Sequence, residues 1–478
     1  MAAAVRERPD PKAFYEQVMR NSSLHEKGFG EVFCWNAAYS LPHFLRAYQA
    51  WNDGAWLEWG VRYYEFIVSK LQTGPDGYKG WIGPYVYDPS VWCDVHVGDA
   101  ILCDGLLDFA LAVAADKRLS ERYGKHAEQY IEIARKHVLE KWDSRGTFEP
   151  DGACGGYRSW NRYGAPGELK HWPVRDEVKN SRLSLPFNKQ NDMAVVALKL
   201  HRLTGEERYL RRAGQIFAFH KSRMQLQGGC LLWNYWEPMG QADIDQGARR
   251  TRHWVGVHPE RNYQAREVAQ IVEAYHCGLV FDEQDIRRIV RTNLEVMWNG
   301  EERAPKFSNS NARLPGINHA KQTAGTLWTA LADFDETIRR LMAVRAGGSS
   351  PRDAIMRAYF ENVTCRRPPG FAPRHPLPAA APFGFPFSDC TELNMAAALP
   401  AHLRAGEVCL LACNVLVPGK LDVRVRPVKG DQPPQMLDSG ERRGQHFVPW
   451  KPSRPGNFLV RWTFNGGSYR EAPVTVAA

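Results

Sequence analysis

The stretch Leu185-Pro186-Phe187-Asn188-Lys189-Gln190-Asn191, followed by an apolar run to Leu203-Thr204-Gly205-Glu206-Glu207-Arg208-Tyr209-Leu210-Arg211-Arg212-Ala213, decides the reading of this chain. Its periodicity predicts helices over 189–202 and 206–222, joined by a link too short for anything but an antiparallel hairpin. The same short link recurs at Trp51-Asn52-Asp53-Gly54 and at Val280-Phe281-Asp282-Glu283. Between hairpins the connections are long. Stretches 73–95, 143–185 and 223–259 hold Tyr78, Trp81, Tyr85, Tyr87, Trp92, Tyr157, Trp160, Trp172, Trp233, Tyr235, Trp236 and Trp254. If successive helices run antiparallel, every short link lies at one end of the molecule and every aromatic connector at the other. Chemistry is expected at the elaborated end.

Working outward, helices are expected over 36–50 with 54–71, 97–114 with 120–141, 263–279 with 283–297, and 322–345 with 352–363. A further helix falls at 11–20. The repeat is about 60 residues, longer than the common solenoid units. Irregular aromatic loops favour a ring over an open spiral, so the predicted architecture is mainly α, an incomplete (α/α) toroid of five to six hairpins over 1–364. Pro376, Pro378, Pro382 and Pro386 follow Arg366-Arg367-Pro368-Pro369, marking 365–399 as a linker. Beyond it, alternation at Leu421, Val423 and Val425 and at Phe458, Val460 and Trp462 predicts a small antiparallel β-sandwich over 400–478.

The formal charge of +9 favours anionic partners. Neither a dense Lys/Arg run nor a helix-turn-helix or RNA-binding signature is present, which argues against nucleic acid. No stretch is apolar enough to span a membrane. The N-terminus lacks a signal-peptide core, so the protein is expected to be cytoplasmic, or exported or periplasmic with its signal peptide absent. Ten cysteines are scattered without CxxC pairing, as buried thiols of a reduced compartment are. No metal-site spacing, P-loop, GxSxG elbow or GxGxxG fingerprint occurs, and no cofactor is expected.

In a ring of hairpins, polar residues at the starts of the inner helices converge. They are Asn36 and Tyr39; Asp94, His96 and Asp99; Asn188, Gln190 and Asn191; His258, Arg261, Asn262 and Tyr263; Asn318 and His319. Each has a plain alternative: Asp94 and Asn188 as helix caps, a lone His as a satisfied core residue. Their recurrence at equivalent places shifts the balance towards a site. β-Elimination at a uronic acid needs a neutralised carboxylate, a base for the C5 proton and an acid for the leaving oxygen. Asn or Arg beside the carboxylate does the first; His or Tyr can do the others. Tyr263 and His258 are the candidate catalytic pair, with Asn188 and His96 beside them. Trp81, Trp92, Trp233 and Tyr235 are candidate sugar platforms; Asp94, Gln190, Asn191, Arg261 and His319 are candidate substrate contacts. Hydrolysis by two carboxylates drawn from Asp94, Asp99, Asp192, Glu237 and Glu267 is the rival, and a non-catalytic glycan-binding protein is the third reading.

The 185–191 and 203–213 motifs, with Trp233-Asn234-Tyr235-Trp236 and the helix ending Ala274-Tyr275-His276-Cys277-Gly278-Leu279-Val280-Phe281, resemble the (α/α) toroid carbohydrate-active enzymes: polysaccharide lyases, unsaturated glucuronyl hydrolases and uronate epimerases. The resemblance covers about 30–345. It implies a Tyr acid or base assisted by His and Asn, hence Tyr263 with His258 and Asn188 or Asn191, acting on an acidic oligo- or polysaccharide. The small C-terminal β part and the Pro-rich connection depart from the larger lyases.

Overall fold

The computed structural model describes residues 8–25, 30–151, 154–161, 163–164, 181–256, 261–308, 311, 325–345, 350–362, 375–376, 392–399 and 403–478. Helices α1 (Pro11–Met19), α2 (Gly30–Ala38), α3 (Leu41–Trp51) and α4 (Ala55–Val68) open the chain. Then come α5 (His96–Ala115) and α6 (Lys117–Ala134), which runs on through π turns into α7 (Lys141–Ser144). The next pairs are α8 (Phe187–Thr204) with α9 (Glu207–Ser222), and α10 (Arg261–His276) with α11 (Glu283–Arg291). The short links have local causes. Asp116 separates α5 from α6 and accepts from the amides of Arg118 and Leu119, and Asn52 and Gly205 end α3 and α8 in the left-handed conformation, which suits Gly and Asn best.

Inner and outer helices differ in composition. Helices α5 and α8 are buried on nearly every face, whereas α6 buries only Tyr123, Ala127, Tyr130, Ile133 and Ala134, at three- to four-residue spacing. The first kind lines a ring and the second covers it. The inner helices run parallel. Lys189 of α8 begins within electrostatic reach of His96 on α5 and Tyr263 on α10. Further along, Lys199 pairs with Asp108 of α5 at 2.6 Å and meets Glu273 of α10 at 3.7 Å. All their starts therefore face one end. The last helices, α12 (Glu336–Arg345) and α13 (Pro351–Asn362), return to the beginning: α13 packs along α3, Arg352 reaches Ser40 Oγ at 2.9 Å, and the Arg46 guanidinium lies 5.5 Å from the Tyr359 ring centre.

One helix is shorter than expected. Among the described residues of 322–345, only Glu336–Arg345 is α-helical, after a 3-10 turn at Thr329–Leu331. Asp335 interrupts it by accepting from the amides of Thr337 and Ile338, a cap strong enough to start a helix rather than continue one. Most of the Pro-rich region lies outside the described residues.

The C-terminal part is a single six-stranded, mostly antiparallel sheet: β1 (Leu393–Leu399), β2 (Leu403–Arg404), β3 (Cys409–Pro427), β4 (Gln435–Trp450), β5 (Gly456–Phe464) and β6 (Tyr469–Ala477). It begins inside the stretch read as linker. Strand β3 pairs with β1 through its first half and β5 through its second, with β4 alongside both and a register shift between Val415 and Gly419. Gly419 is required there, since a Cβ would stand 2.3 Å from the Phe464 ring. The bend curls the sheet around its own core, where Leu411 and Cys413 meet Val423, Val460 and Trp462. The outer face of β3 at Ala412, with Met395 and Leu399 of β1, joins Trp236, Ile244 and Val255 of the helical part in a second apolar cluster. That cluster fixes the two parts against each other.

Candidate functional site

Two polar groupings lie at the end where the inner helices start, and they differ in their access to solvent. The first surrounds the beginning of α5. Lys141 Nζ bonds Asp94 Oδ2 at 2.7 Å and Asp99 Oδ2 at 2.6 Å. Arg145 adds bonds to Asp94 at 3.0 Å and Asp76 at 2.7 Å, and Trp142 Nε1 donates to Asp99 at 2.8 Å. The Trp160 ring covers the Arg145 guanidinium at 3.9 Å. Lys141, Asp94 and Asp99 are buried, and a Cβ on Gly80 would strike both Asp94 oxygens at 2.6 Å. His96 stacks on Trp142 with ring centres 3.7 Å apart. Because the Thr147 hydroxyl donates to Trp142 O, His96 Nε2 must be the donor in its 3.0 Å bond to Thr147 Oγ1. Burial first, then Lys141 and Arg145, hold the imidazole far below its usual range and therefore neutral. Asp94, expected to meet substrate, is here part of a sealed ion-pair network; His96, neutral and buried beside it, borders a narrow slit shared with Lys189 and Tyr235.

The second grouping spans the starts of α8 and α10. Lys189 pairs with Glu31 of α2 at 2.9 Å, and Arg266 with Asp192 at 2.6 Å. Tyr263 stands 6.2 Å from Trp35 and 5.6 Å from Tyr235, edge to face in both cases. Around them are His253, 6.0 Å from Tyr235, and the exposed rings of Tyr39, Tyr87 and Trp254. The open surface here belongs to the cations. Lys189 and Arg266 keep 19% and 25% of their side-chain surface accessible, whereas their partners Glu31 and Asp192 keep 5% and 0%. Burial pulls the Lys189 ammonium down, yet Glu31 holds it above the ordinary lysine value.

Beneath this mouth lies a set of buried polar atoms with no hydrogen-bond partner among the described residues: both amide atoms of Asn188, Asn191 Oδ1, His220 Nε2, Glu267 Oε1 and Gln270 Oε1. Unpaired groups at such depth are costly unless water or ligand satisfies them. Glu267 accepts from Trp233 Nε1; burial, with a smaller push from Asp192, raises its carboxyl to about 8. It keeps its proton at neutral pH. His220 lies flat against Phe187 at 4.4 Å and bonds Asn191 through Nδ1 at 3.0 Å, and burial alone lowers it to about 3.

Several expected contacts are corrected. Trp81 and Trp233 are buried and offer no face to a sugar; Trp81 donates to Ile67 O and Trp233 to Glu267. Gln190 is buried, its amide spent on the Tyr157 backbone and Leu185 O. Trp92 is half-buried against the helical core. Tyr235 and Tyr263 do meet at the mouth. His258 and His319 and the side chain of Arg261 lie outside the described residues, as do Asn318 and the Asn262 side chain. Lys189, Arg266 and the partly open lumen carboxylates Asp104, Asp108 and Glu273 around Lys199 were missed. The lumen pair had a signal: Asp104 and Asp108 interrupt an otherwise apolar helix four residues apart, on one face.

Two spaces adjoin the mouth and share lining residues. A narrow slit of about 50 Å³ is lined by Glu31, Lys189, Tyr235, Tyr87 and His253 among others. Tyr87 and His253 also border a wider cleft of about 720 Å³ that reaches Gln445 of β4. Among the described residues no cluster of His, Cys, Asp and Glu fits a metal ion, and no helix is long and apolar enough to cross a membrane.

No family model matches this sequence, and no curated protein does. Among solved structures, the chain is similar to an inactive variant of the GH76A α-1,6-mannanase of Salegentibacter sp. HEL1_6 in complex with α-1,6-mannotriose, at 12% identity over 74% of this chain and 99% of that one, with a TM-score of 0.38. It is also similar to cellobiose 2-epimerase from Spirochaeta thermophila, at 15% identity over 65% and 86% of the two chains, TM-score 0.31. Neither likeness assigns a role to a residue here.

Proposed function

We propose that this protein is a carbohydrate-active enzyme that cleaves a uronate-bearing glycan by β-elimination at the mouth of its helical ring. One observation carries the reading: the mouth presents a phenol and two cations, while the carboxylates beside it are withdrawn behind their partners. An anionic sugar is attracted to that surface. Lys189 and Arg266 neutralise its carboxylate and stabilise the enolate that forms when the C5 proton leaves. Tyr263 transfers the proton, as acid to the leaving oxygen or as base and acid in turn, with His258 the partner proposed from sequence. Hydrolysis by two carboxylates would need both acids within reach of the sugar, and Glu31, Asp192 and Glu267 are buried.

The test is incubation with alginate, pectins, ulvan, glycosaminoglycans and glucuronate-bearing gums, read by ultraviolet absorbance and mass spectrometry. Elimination leaves a conjugated double bond. Tyr263→Phe is expected to lower turnover by roughly 100-fold or more with an unchanged melting temperature; near-normal turnover removes Tyr263 from the mechanism.

A second reading rests on Glu267, a carboxyl that holds its proton to about pH 8 with one oxygen unpartnered, as a general acid must. It predicts products carrying one added water and no ultraviolet chromophore, and their loss in Glu267→Gln.

A further inference from the structure

The hairpin Ile244–Thr251, in the connector between α9 and α10, reaches out from the ring to touch the sheet at Gln445, and its outer surface is cationic. Arg249, Arg250 and Arg252 are exposed, and among the described residues none of the three forms an ion pair. Arg250 and Arg252 line the 720 Å³ cleft with Tyr87, His253, Trp254 and Gln445. Among the described residues lining it, the one carboxylate, Asp245, turns an oxygen back onto the amide of Ala248 at 2.9 Å. The cleft is also firmly built. Gln445 of β4 accepts from Thr251 N at 2.8 Å and donates to Thr251 Oγ1 at 2.9 Å, and Ile244, Trp236 and Val255 seal the floor against Met395, Leu399 and Ala412. Arg252 is fixed by a 2.8 Å bond to Ala242 O. Unpaired arginines with flat aromatic rings on a rigid floor form a surface for a polyanion that also stacks.

We infer that this cleft is an extended binding site for an acidic polysaccharide, in which Arg250 and Arg252 hold carboxylates and Trp254 and Tyr87 stack on the sugar rings adjoining the mouth. The C-terminal sheet then forms one wall of the substrate groove rather than a separate packing module. The inference rests on the mouth being a sugar site, since Tyr87 and His253 border both spaces.

Binding of the full chain to polygalacturonate and to alginate, followed by affinity electrophoresis and calorimetry, tests this, with dextran and single-stranded DNA as contrasting probes. At least one of the two acidic polysaccharides is expected to bind, more weakly as salt rises. Arg250→Ala, which removes no structural hydrogen bond, is expected to weaken that binding about tenfold, and Trp254→Ala about fivefold. Tyr263→Phe is expected to bind as the wild type does, which separates this site from the catalytic reading. Equal affinity of Arg250→Ala and wild type overturns the inference. So does retention of neither acidic polysaccharide, or tighter binding of dextran or DNA than of both.

Discussion

The two polar groupings at the ring's open end use the same residue types and come to opposite ends. Around α5, two aspartates meet Lys141 and Arg145 under the rings of Trp142 and Trp160. Around α8 and α10, Glu31 and Asp192 meet Lys189 and Arg266, but the cations stay part-open beside exposed aromatic rings. Charges sealed from water act on stability, because removing one leaves its partner buried and uncompensated. Charges with one face in water remain available to a ligand. What distinguishes scaffold from candidate site is the aromatic cover, not the identity of the charged residues.

That contrast can be broken most directly at Lys141. Lys141→Met is expected to cost about 3–5 kcal/mol of folding stability, because Asp99 is left with only the Trp142 N–H. A denaturant midpoint matching that of the wild type would show that the network is not sealed. Arg250→Ala, in the open cleft, is expected to leave the same midpoint unchanged within roughly 0.5 kcal/mol.

Acid sharpens the same point. His96 is held far below its ordinary value, and His43 and His220 lie at about 3, all chiefly through burial. Their folded-state values are lower than in the unfolded chain, so the unfolded state binds more protons below pH 6.5. Stability should therefore fall as pH drops from about 6.5 towards 4, and His220→Asn should flatten part of that slope in thermal melts. A slope unaffected by the substitution would place the acid sensitivity elsewhere.

Alkali probes Glu267 in the same way. Its folded value of about 8 lies above that of an unfolded glutamate, so the proton it retains costs almost nothing below about pH 4. As pH climbs from about 4.5 to 8, the unfolded state gives up that proton first and stability declines. Glu267→Gln keeps an acceptor for Trp233 and removes the titration. It should melt higher than the wild type at pH 9, by ~2 °C or more, and much like it near pH 4. Identical pH profiles for the two would mean that Glu267 is ionised when folded.

Much of the architecture was legible because it is local. Three- to four-residue periodicity and the Gly205 and Asn52 stops gave the hairpins, and the alternation of short and long connections gave the two ends. The break at Asp335 was harder to see, since capping there competes with a helical pattern that continues through it. At the site, Tyr263 and Tyr235 were named from the sequence and lie together at the mouth. Trp81, Trp233 and Gln190 were named too, but a large aromatic or an amide in a long connector can turn inward as readily as outward. Lys189 and Arg266 went unnoticed because an isolated Lys or Arg on a helix reads as a solvated face.

By itself, the sequence determined which segments are helices and at which end their polar starts gather, since backbone preference and the period of apolar residues act over a few neighbours. Only the tertiary structure decided which charges are closed off and which stay open. That depends on rings such as Trp142, Trp160, Tyr87 and Trp254, brought from distant connectors, covering a pair or standing aside from it.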